Sequence, residues 1–329
     1  MKDILVSNLS FASLTLLSRT LASAVAQRIE INVDLRGLSF SKPEGFLHLA
    51  LILRQFKRNK TAHAIMTINK KSNVTSYLGH IGFFNLIEFP YGQPIGMARG
   101  SNSYVPIRKI DKNLLAKTSF ETGESLQDLI QLEAESLARV LLNTAERTAN
   151  FLIVSYSIRE AIRNALEHSE TDICYVCGQK WANGQSQITV IDEGIGIYES
   201  FKRAEIENVS LNDCLDKAIK PGFSRTSNLS EAENIHDNSG YGLFVLHEIA
   251  RNYGNFLLSS SHSFVSIDQM IGRNAGESEH PGTMISLTFN SYPNDAKDLL
   301  EMIIESGEEE AALEGRKKSS RRSKSLDTE

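Results

Sequence analysis

Three short segments, separated by long stretches of chain, constrain this sequence most: EAIRNALEH at 160–168, DEGIGI at 192–197 and GYGL at 240–243. In the first, Glu160, Asn164 and His168 are four residues apart, so they share one face of a helix predicted over 151–168. Apolar residues between them supply the opposite, buried side. The segment therefore predicts a helix with a polar stripe, and a solvated polar face is the alternative interpretation.

The second segment follows an apolar strand, QITVI at 187–191. An earlier strand at 171–178 and an Asn-Gly turn at 183–184 predict a hairpin here. Asp192 stands at the strand end, where its carboxylate can accept a hydrogen bond from an amino group. Gly194 and Gly196 permit positive φ and a close approach between the backbone and a ligand.

The third segment, with Gly240, Tyr241, Gly242 and Leu243, opens a helix predicted over 244–252. Its glycines expose unpaired N–H groups, and the positive end of the helix dipole attracts phosphate. We expect Gly254 to end the helix as a C-cap. A last strand, MISLTF, follows Gly282-Thr283.

In this order and spacing, the segments resemble the nucleotide pocket of the GHKL ATPase superfamily, which includes gyrase-type ATPases, histidine kinases and anti-sigma-factor kinases. The resemblance implies ATP and Mg²⁺ as cofactors. It implies that Asn164 is a metal ligand and that Glu160 is catalytic, orienting or deprotonating an attacking water or protein hydroxyl. His168 either contacts phosphates or serves the helix dipole.

The resemblance also implies an adenine contact from Asp192, supported by the hydroxyl of Thr283, and a mobile ATP lid that contains KPGFSRT at 220–226. Solvated loop cations and a threonine favoured by strand propensity are the alternatives. The residues implied to contact the nucleotide are Asp192, Gly194, Gly196, Ile197, Lys220, Ser224, Arg225, Gly240, Tyr241, Gly242, Leu243 and Thr283.

The N-terminal third has a strand–helix–strand–helix pattern. IEINVDLR predicts a strand, Pro43 opens a helix to residue 58, a strand follows at 62–69, and a helix at 74–86. The segments DLRGLSFSKPEGFLHLALIL and YLGHIGFF resemble the STAS domain of anti-sigma-factor antagonists. That resemblance implies a phosphorylatable Ser39 or Ser41, although turn or N-cap duty explains both.

The remaining segments predict helices and a tail. Residues 4–26 have a helical apolar period, and we expect a docking helix or pair of helices there. Residues 125–149 predict a helix that links domains, contacts a second copy or packs on the sheet. No histidine lies between His80 and His168, which counts against autophosphorylation on this helix. Residues 305–329 are expected to form a charged tail.

The expected fold class is α/β: a small STAS-like α/β unit, followed by a GHKL (Bergerat) two-layer α/β sandwich. The predicted divisions are a helical segment at 1–28, the STAS-like domain at 29–112, a linker helix at 113–150, the ATP-binding domain at 151–292, and a C-terminal helix with a tail at 293–329. Cys174 and Cys177 form a CxxC in a strand, where they point to opposite faces and predict packing rather than zinc or redox use.

Net charge and the distribution of apolar residues limit the classes of function that this chain can have. A net charge of −5 disfavours a general nucleic-acid or membrane surface, and no apolar run suits a membrane span, so we expect a cytoplasmic protein. The first hypothesis is a regulatory protein that hydrolyses ATP or transfers its phosphate to a protein serine or threonine. The alternatives are a non-hydrolysing ATP-dependent switch and an ATPase of a nucleic-acid-linked defence system. A regulatory protein partner and a homodimer are further expectations.

Overall fold

Two β-sheets and the helices around them form a mixed α/β structure. The computed structural model describes residues 2–59, 64–101, 103–144, 146–223, 240–280 and 282–316. The smaller sheet has three parallel strands, and the larger has seven strands whose neighbours all pair antiparallel. None of the helices in these ranges is long and apolar enough to cross a bilayer.

The small sheet is built from two strand–helix–strand units. Its elements are β1 (Lys2–Leu5), α1 (Phe11–Gln27), β2 (Ile31–Asp34), α2 (Pro43–Arg58) and β3 (Ala64–Thr67). Ser10 caps α1 by accepting a hydrogen bond from the backbone N–H of Ser13, and Arg28 ends the helix in a left-handed conformation. Helix α2 begins at Pro43 and ends at Arg58, as predicted, and the proline occupies its first position.

Three expectations for this region are wrong. Residues 1–28 are not a separate helical segment, because β1 pairs with β2 and α1 is the crossover between them. The helix predicted over 74–86 is two helices, α3 (Asn73–His80) and α4 (Phe83–Leu86), because Gly82 between them has a φ of 92°. Neither Ser39 nor Ser41 is the N-cap of α2. The N-cap is Lys42, whose side chain makes no capping hydrogen bond.

The large sheet begins inside the segment assigned to the N-terminal domain. β4 (Tyr104–Asp111) pairs with β5 (Ile173–Lys180), so the expected boundary near residue 112 does not separate two sheets. Two helices follow β4 in place of one linker helix, α5 (Lys112–Thr122) and α6 (Leu126–Leu142). A capping box between Ser125 and Asp128 starts α6, and Asn143 ends it with positive φ.

The predicted long helix and hairpin are present as α7 (Ala149–Glu167), β5 and β6 (Ser186–Asp192). Next come α8 (Gly196–Arg203), α9 (Cys214–Ala218), α10 (Gly242–Tyr253), β7 (Gly254–Ser260), β8 (Ser263–Asp268), β9 (Gly272–Glu277), β10 (Thr283–Phe289) and α11 (Ala296–Leu313). The sheet order is β4-β5-β6-β10-β7-β8-β9. The stretch at 259–282 therefore adds two strands at one sheet edge. Helix α11 buries Ile304 and Ala311, so the charged tail starts later than expected.

Each face of the large sheet supports its own core. Helices α6, α7, α10 and α11 cover what we call the pocket face, and α2 packs on what we call the N-terminal face. Strand alternation divides the side chains: Val190 points to the pocket face and Ile191 to the N-terminal face. Cys174 and Cys177 are buried on opposite faces, which confirms their predicted packing role. Helix α2 is buried nearly all round, because it lies between the two sheets.

Candidate functional site

The polar stripe of α7 faces the start of α10 across a small cavity. Glu160 is only 7% exposed, and Asn164 donates from Nδ2 to the backbone carbonyl of Glu160 at 2.8 Å. A Cβ placed on Gly242 would lie 2.7 Å from Glu160 Oε2. Two segments distant in sequence therefore touch here, and glycine at position 242 leaves room for the carboxylate at the helix N-terminus.

Asp192 lies behind this cavity at the end of β6. Its Oδ1 accepts from the backbone N–H groups of Gly194 at 2.8 Å and Thr283 at 3.2 Å. Its Oδ2 is buried and has no hydrogen-bond partner in the described ranges. Burial raises the pKa of Asp192 to about 7, and the two backbone N–H bonds oppose that rise. When ionised, the side chain can accept a further hydrogen bond at Oδ2, which has no partner among the described residues.

Thr283 and Ser260 connect three elements around Asp192. The Thr283 and Ser260 hydroxyls lie 3.2 Å apart, and Ser260 Oγ accepts from the backbone N–H of Ile197 at 2.9 Å. A Cβ on Gly194 would come within 2.1 Å of the Ser169 carbonyl oxygen, so the loop after β6 approaches the end of α7 closely. These contacts fix the wall of the cavity between α7, α8 and β10.

The cavity, which we call the site cavity, has a volume of about 80 Å³. It brings together nine residues that the sequence singled out: Glu160, Asn164, His168, Gly196, Ile197, Gly240, Gly242, Leu243 and Thr283. Ligand pockets for drug-sized molecules are usually larger, roughly 300–1,000 Å³. The lining also includes the aromatic side chains of Tyr156, Phe201 and Phe223.

Some of the implied contact residues do not line the site cavity. Asp192 and Gly194 lie one layer behind it, under Thr283 and Ser169. Tyr241 is buried in the core of the pocket face, where its ring contacts Phe244. Lys220 pairs with Glu314 beyond α11 at 3.8 Å. Ser224 and Arg225 lie outside the described residues, as does Thr226 of the same expected lid segment.

Two buried arginines, which the sequence analysis missed, control the charge of Glu160. Arg159 Nη2 contacts Glu160 Oε1, and Arg163 Nη1 lies 3.4 Å from the same oxygen. Arg163 also pairs with Glu167 at 3.1 Å. Burial alone would raise the pKa of Glu160, but the two guanidinium charges outweigh burial and lower it. The sequence signal was RExxR, with arginines next to Glu160 and one turn after it.

Two arginines of α2, in the N-terminal unit, form ion pairs with Glu193 in the loop after β6. Arg58 Nη2 lies 2.8 Å from Glu193 Oε2, and Arg54 Nη2 lies 3.5 Å from it. Arg54 also stacks over the Tyr175 ring, 5.2 Å from its centroid. Because Glu193 follows Asp192 directly, α2 is tied to the wall of the site cavity.

No protein-family model matches the chain, and no curated protein is significantly similar to it. Within the described ranges, no group of three or more His, Cys, Asp or Glu side chains is placed to hold a metal ion.

Proposed function

We propose that the chain binds ATP with Mg²⁺ at the site cavity and acts as a GHKL-type regulatory protein. One observation carries the proposal: the polar stripe of α7, the glycine-rich start of α10 and Thr283 of β10 border a single cavity. An amide, a helix N-terminus and a buried carboxylate behind them form the donor and acceptor set that a purine triphosphate requires.

The residues fit the parts of the ligand. The unused Oδ2 of Asp192 is an acceptor for an amino group such as that of adenine. Asn164 uses Nδ2 on its own helix, so its amide oxygen is the atom left for the metal. Mg²⁺ held by Asn164 would supply positive charge to offset the charge of the phosphates. The N-terminus of α10 at Gly242 offers the phosphates a positive dipole end.

The size of the site cavity implies that its lining must move for a nucleotide to enter. At about 80 Å³ it holds far less than ATP. Phe201 of α8 and Phe223, which follows α9, lie in the lining. Arg316, after α11, lies over the Phe223 ring, 4.7 Å from its centroid. Displacement of Phe223 on binding therefore changes the surface next to α11, and a regulatory partner can recognise that change.

The ion pairs of Glu160 favour slow turnover, which supports the switch as the second candidate. A general base works best with a pKa near the working pH. The two arginines lower the pKa of Glu160, so its carboxylate is ionised but a weak base. Glu160 then serves mainly to orient a nucleophile. Phosphate transfer to a protein serine or threonine needs the same orientation and remains the alternative outcome.

Calorimetric titration tests the binding proposal. We expect ATP and ADP to bind with magnesium, and GTP to bind at least tenfold more weakly, because guanine presents a carbonyl where adenine presents an amino group. Asn164→Ala should remove most of the magnesium dependence. Asn252→Ala is the matched control, since Asn252 Nδ2 makes the same bond one turn back, at 2.8 Å, on an exposed helix face. Equal affinity for ATP and GTP would refute the Asp192 contact.

Radiolabelled ATP separates the possible outcomes of binding. Release of free phosphate indicates an ATPase, and label on a serine or threonine of a partner indicates a kinase. Binding without either indicates the switch. Glu160→Gln should preserve ATP binding and abolish any turnover. Turnover that survives this substitution would rule out the orienting role of Glu160.

A further inference from the structure

A second and larger cavity lies on the N-terminal face of the large sheet. Its volume is about 950 Å³, and it is bordered by α1, the loop that precedes α2, and strands of the large sheet. We call it the second cavity. It shares no lining residue with the site cavity, so a nucleotide there leaves it unused.

A row of polar side chains forms the floor of the second cavity. Gln187 of β6 is the register partner of Thr288 of β10, Thr288 is the partner of Asn255 of β7, and Asn255 is the partner of Asp268 of β8. All four line the cavity. With strands about 4.8 Å apart, the row spans roughly 14 Å. A ligand that lies across the strands meets all four side chains.

Two acceptors on this floor have no hydrogen-bond partner in the part of the chain that the structure describes. Gln187 is 2% exposed, and its Nε2 donates to Glu44 Oε2 at 2.7 Å and to Ser286 Oγ at 2.9 Å. Its Oε1 is buried without a hydrogen-bond partner among the described residues, and so is Asn255 Oδ1. A buried acceptor left unsatisfied costs about 1–3 kcal/mol. These acceptors therefore favour a ligand that donates hydrogen bonds to the floor.

The charges at the second cavity favour a cation. Glu44 at the start of α2 and Asp268 on the floor line it. A third lining acid, Glu277 of β9, is paired with Arg19 at 2.6 Å. Burial raises the pKa of Glu44, which a positive ligand would reverse. The other lining cation, Lys42, is exposed, and its charge acts on Glu44 in the same direction as such a ligand.

The walls of the second cavity suit an aliphatic chain between charged ends. Phe11 of α1 stacks on Phe264 of β8, with ring centroids 4.3 Å apart, and both rings line the cavity. Leu257 and Ile267 add apolar surface on the sheet side. Aromatic faces attract ammonium groups and also bury methylene groups.

We propose that the second cavity binds a linear aliphatic polyamine. One ammonium group donates to Glu44 and to Gln187 Oε1. A second donates to Asn255 Oδ1, and the far end meets Asp268. The methylene segments lie against Phe11 and Phe264.

Calorimetric titration with spermidine, without nucleotide, tests this proposal and is independent of the ATP site. We expect one site per chain. Glu44→Gln should weaken binding roughly tenfold or more, because a charge-assisted bond is lost. Asn255→Leu, which leaves the net charge unchanged, should weaken it roughly threefold to tenfold. Glu121→Gln is the matched control for charge, since Glu121 lies on the exposed side of α5, away from the cavity.

Four outcomes would overturn the proposal. They are the absence of saturable binding, equal loss in the Glu44→Gln and Glu121→Gln proteins, full affinity in the Asn255→Leu protein, and equal affinity for neutral 1,8-octanediol. The last would show that hydroxyl donors or apolar contact, rather than ammonium groups, account for binding. Thermal melting of each variant verifies that it is folded before titration.

Discussion

The two faces of the large sheet carry cavities that differ in size and in the pairing of side chains that line them. On the pocket face, Glu160 is paired with two arginines and the site cavity is about 80 Å³. On the N-terminal face, Gln187 and Asn255 each have an acceptor without a partner among the described residues, beside a cavity of about 950 Å³. Satisfied charges allow side chains to close over a site, whereas unsatisfied acceptors favour a ligand that enters a preformed space.

A similar contrast exists between two acids at and behind the site cavity. Asp192 is buried without a cation, so its pKa rises to about 7, while Glu160 is equally buried beside two arginines, so its pKa falls. The environment assigns them different roles: Asp192 can bind an amino group, and Glu160 holds a fixed negative charge.

The largest effect is expected in the core that joins the N-terminal unit to the sheet. Phe46 of α2 is 1% exposed, and Phe46→Ala should lower the free energy of unfolding by roughly 3–5 kcal/mol. Phe120→Ala, at a residue 92% exposed, should change it by less than about 0.5 kcal/mol. Urea unfolding should show one transition, since the core on the N-terminal face contains side chains of both the N-terminal unit and the large sheet. A separate early transition, with the large sheet intact, would show that the faces are independent.

Removal of Arg163 tests the charge balance of the pocket face. Arg163→Met leaves Glu160 and Glu167 buried with fewer partners, and should cost roughly 3–5 kcal/mol. Arg251→Met is the control, because Arg251 is 63% exposed in its pair with Glu248 and such a pair is worth about 0–1 kcal/mol. Chemical denaturation at pH 7 measures both. Equal losses would mean that burial does not strengthen the Arg163 pairs.

Asp192→Asn should raise the free energy of unfolding and lower the affinity for ATP. The folded protein keeps the Asp192 proton up to about pH 7, whereas the unfolded chain loses it near 3.8, so this group lowers stability as the pH rises between those values. At pH 8 the variant should be roughly 2–4 kcal/mol more stable than the parent. The gain should vanish below pH 4, and ATP affinity should fall. A gain that does not depend on pH would contradict the raised pKa.

The smallest effect is expected at the ion pair between Arg58 of the N-terminal unit and Glu193 of the loop after β6. Arg58 is 57% exposed in its pair with Glu193, so Arg58→Ala should cost less than about 1 kcal/mol. Because Glu193 adjoins Asp192, ATP affinity should change by about threefold at most. Arg36→Ala, another exposed pair within the N-terminal unit, controls for loss of surface charge. A larger loss of ATP affinity in Arg58→Ala alone would show that α2 regulates the nucleotide site.

Local signals in the sequence predicted most helices and some strands. Proline at the first position set the start of α2, and the Asn-Gly turn set the hairpin of β5 and β6. Partners across the sheets were not predictable in this way. β1, β4, β7 and the two edge strands β8 and β9 were missed, and the residues of β4 were assigned to the N-terminal domain. Pairing was not predictable because it depends on segments far away in the chain. The helix break at Gly82 was missed because its φ depends on the loop that packs on it.

The sequence by itself determined which chemical groups are available: the α7 stripe with Glu160 and Asn164, an acid at the end of β6, and glycines at the start of α10. Only the tertiary structure decided that Arg159 and Arg163 neutralise Glu160, that Asp192 lies behind the cavity wall, and that a polar row faces a second cavity. The physical reason is that residue spacing fixes which side of its own element a side chain occupies. Burial, ion pairing and pKa depend on which other elements pack against that side.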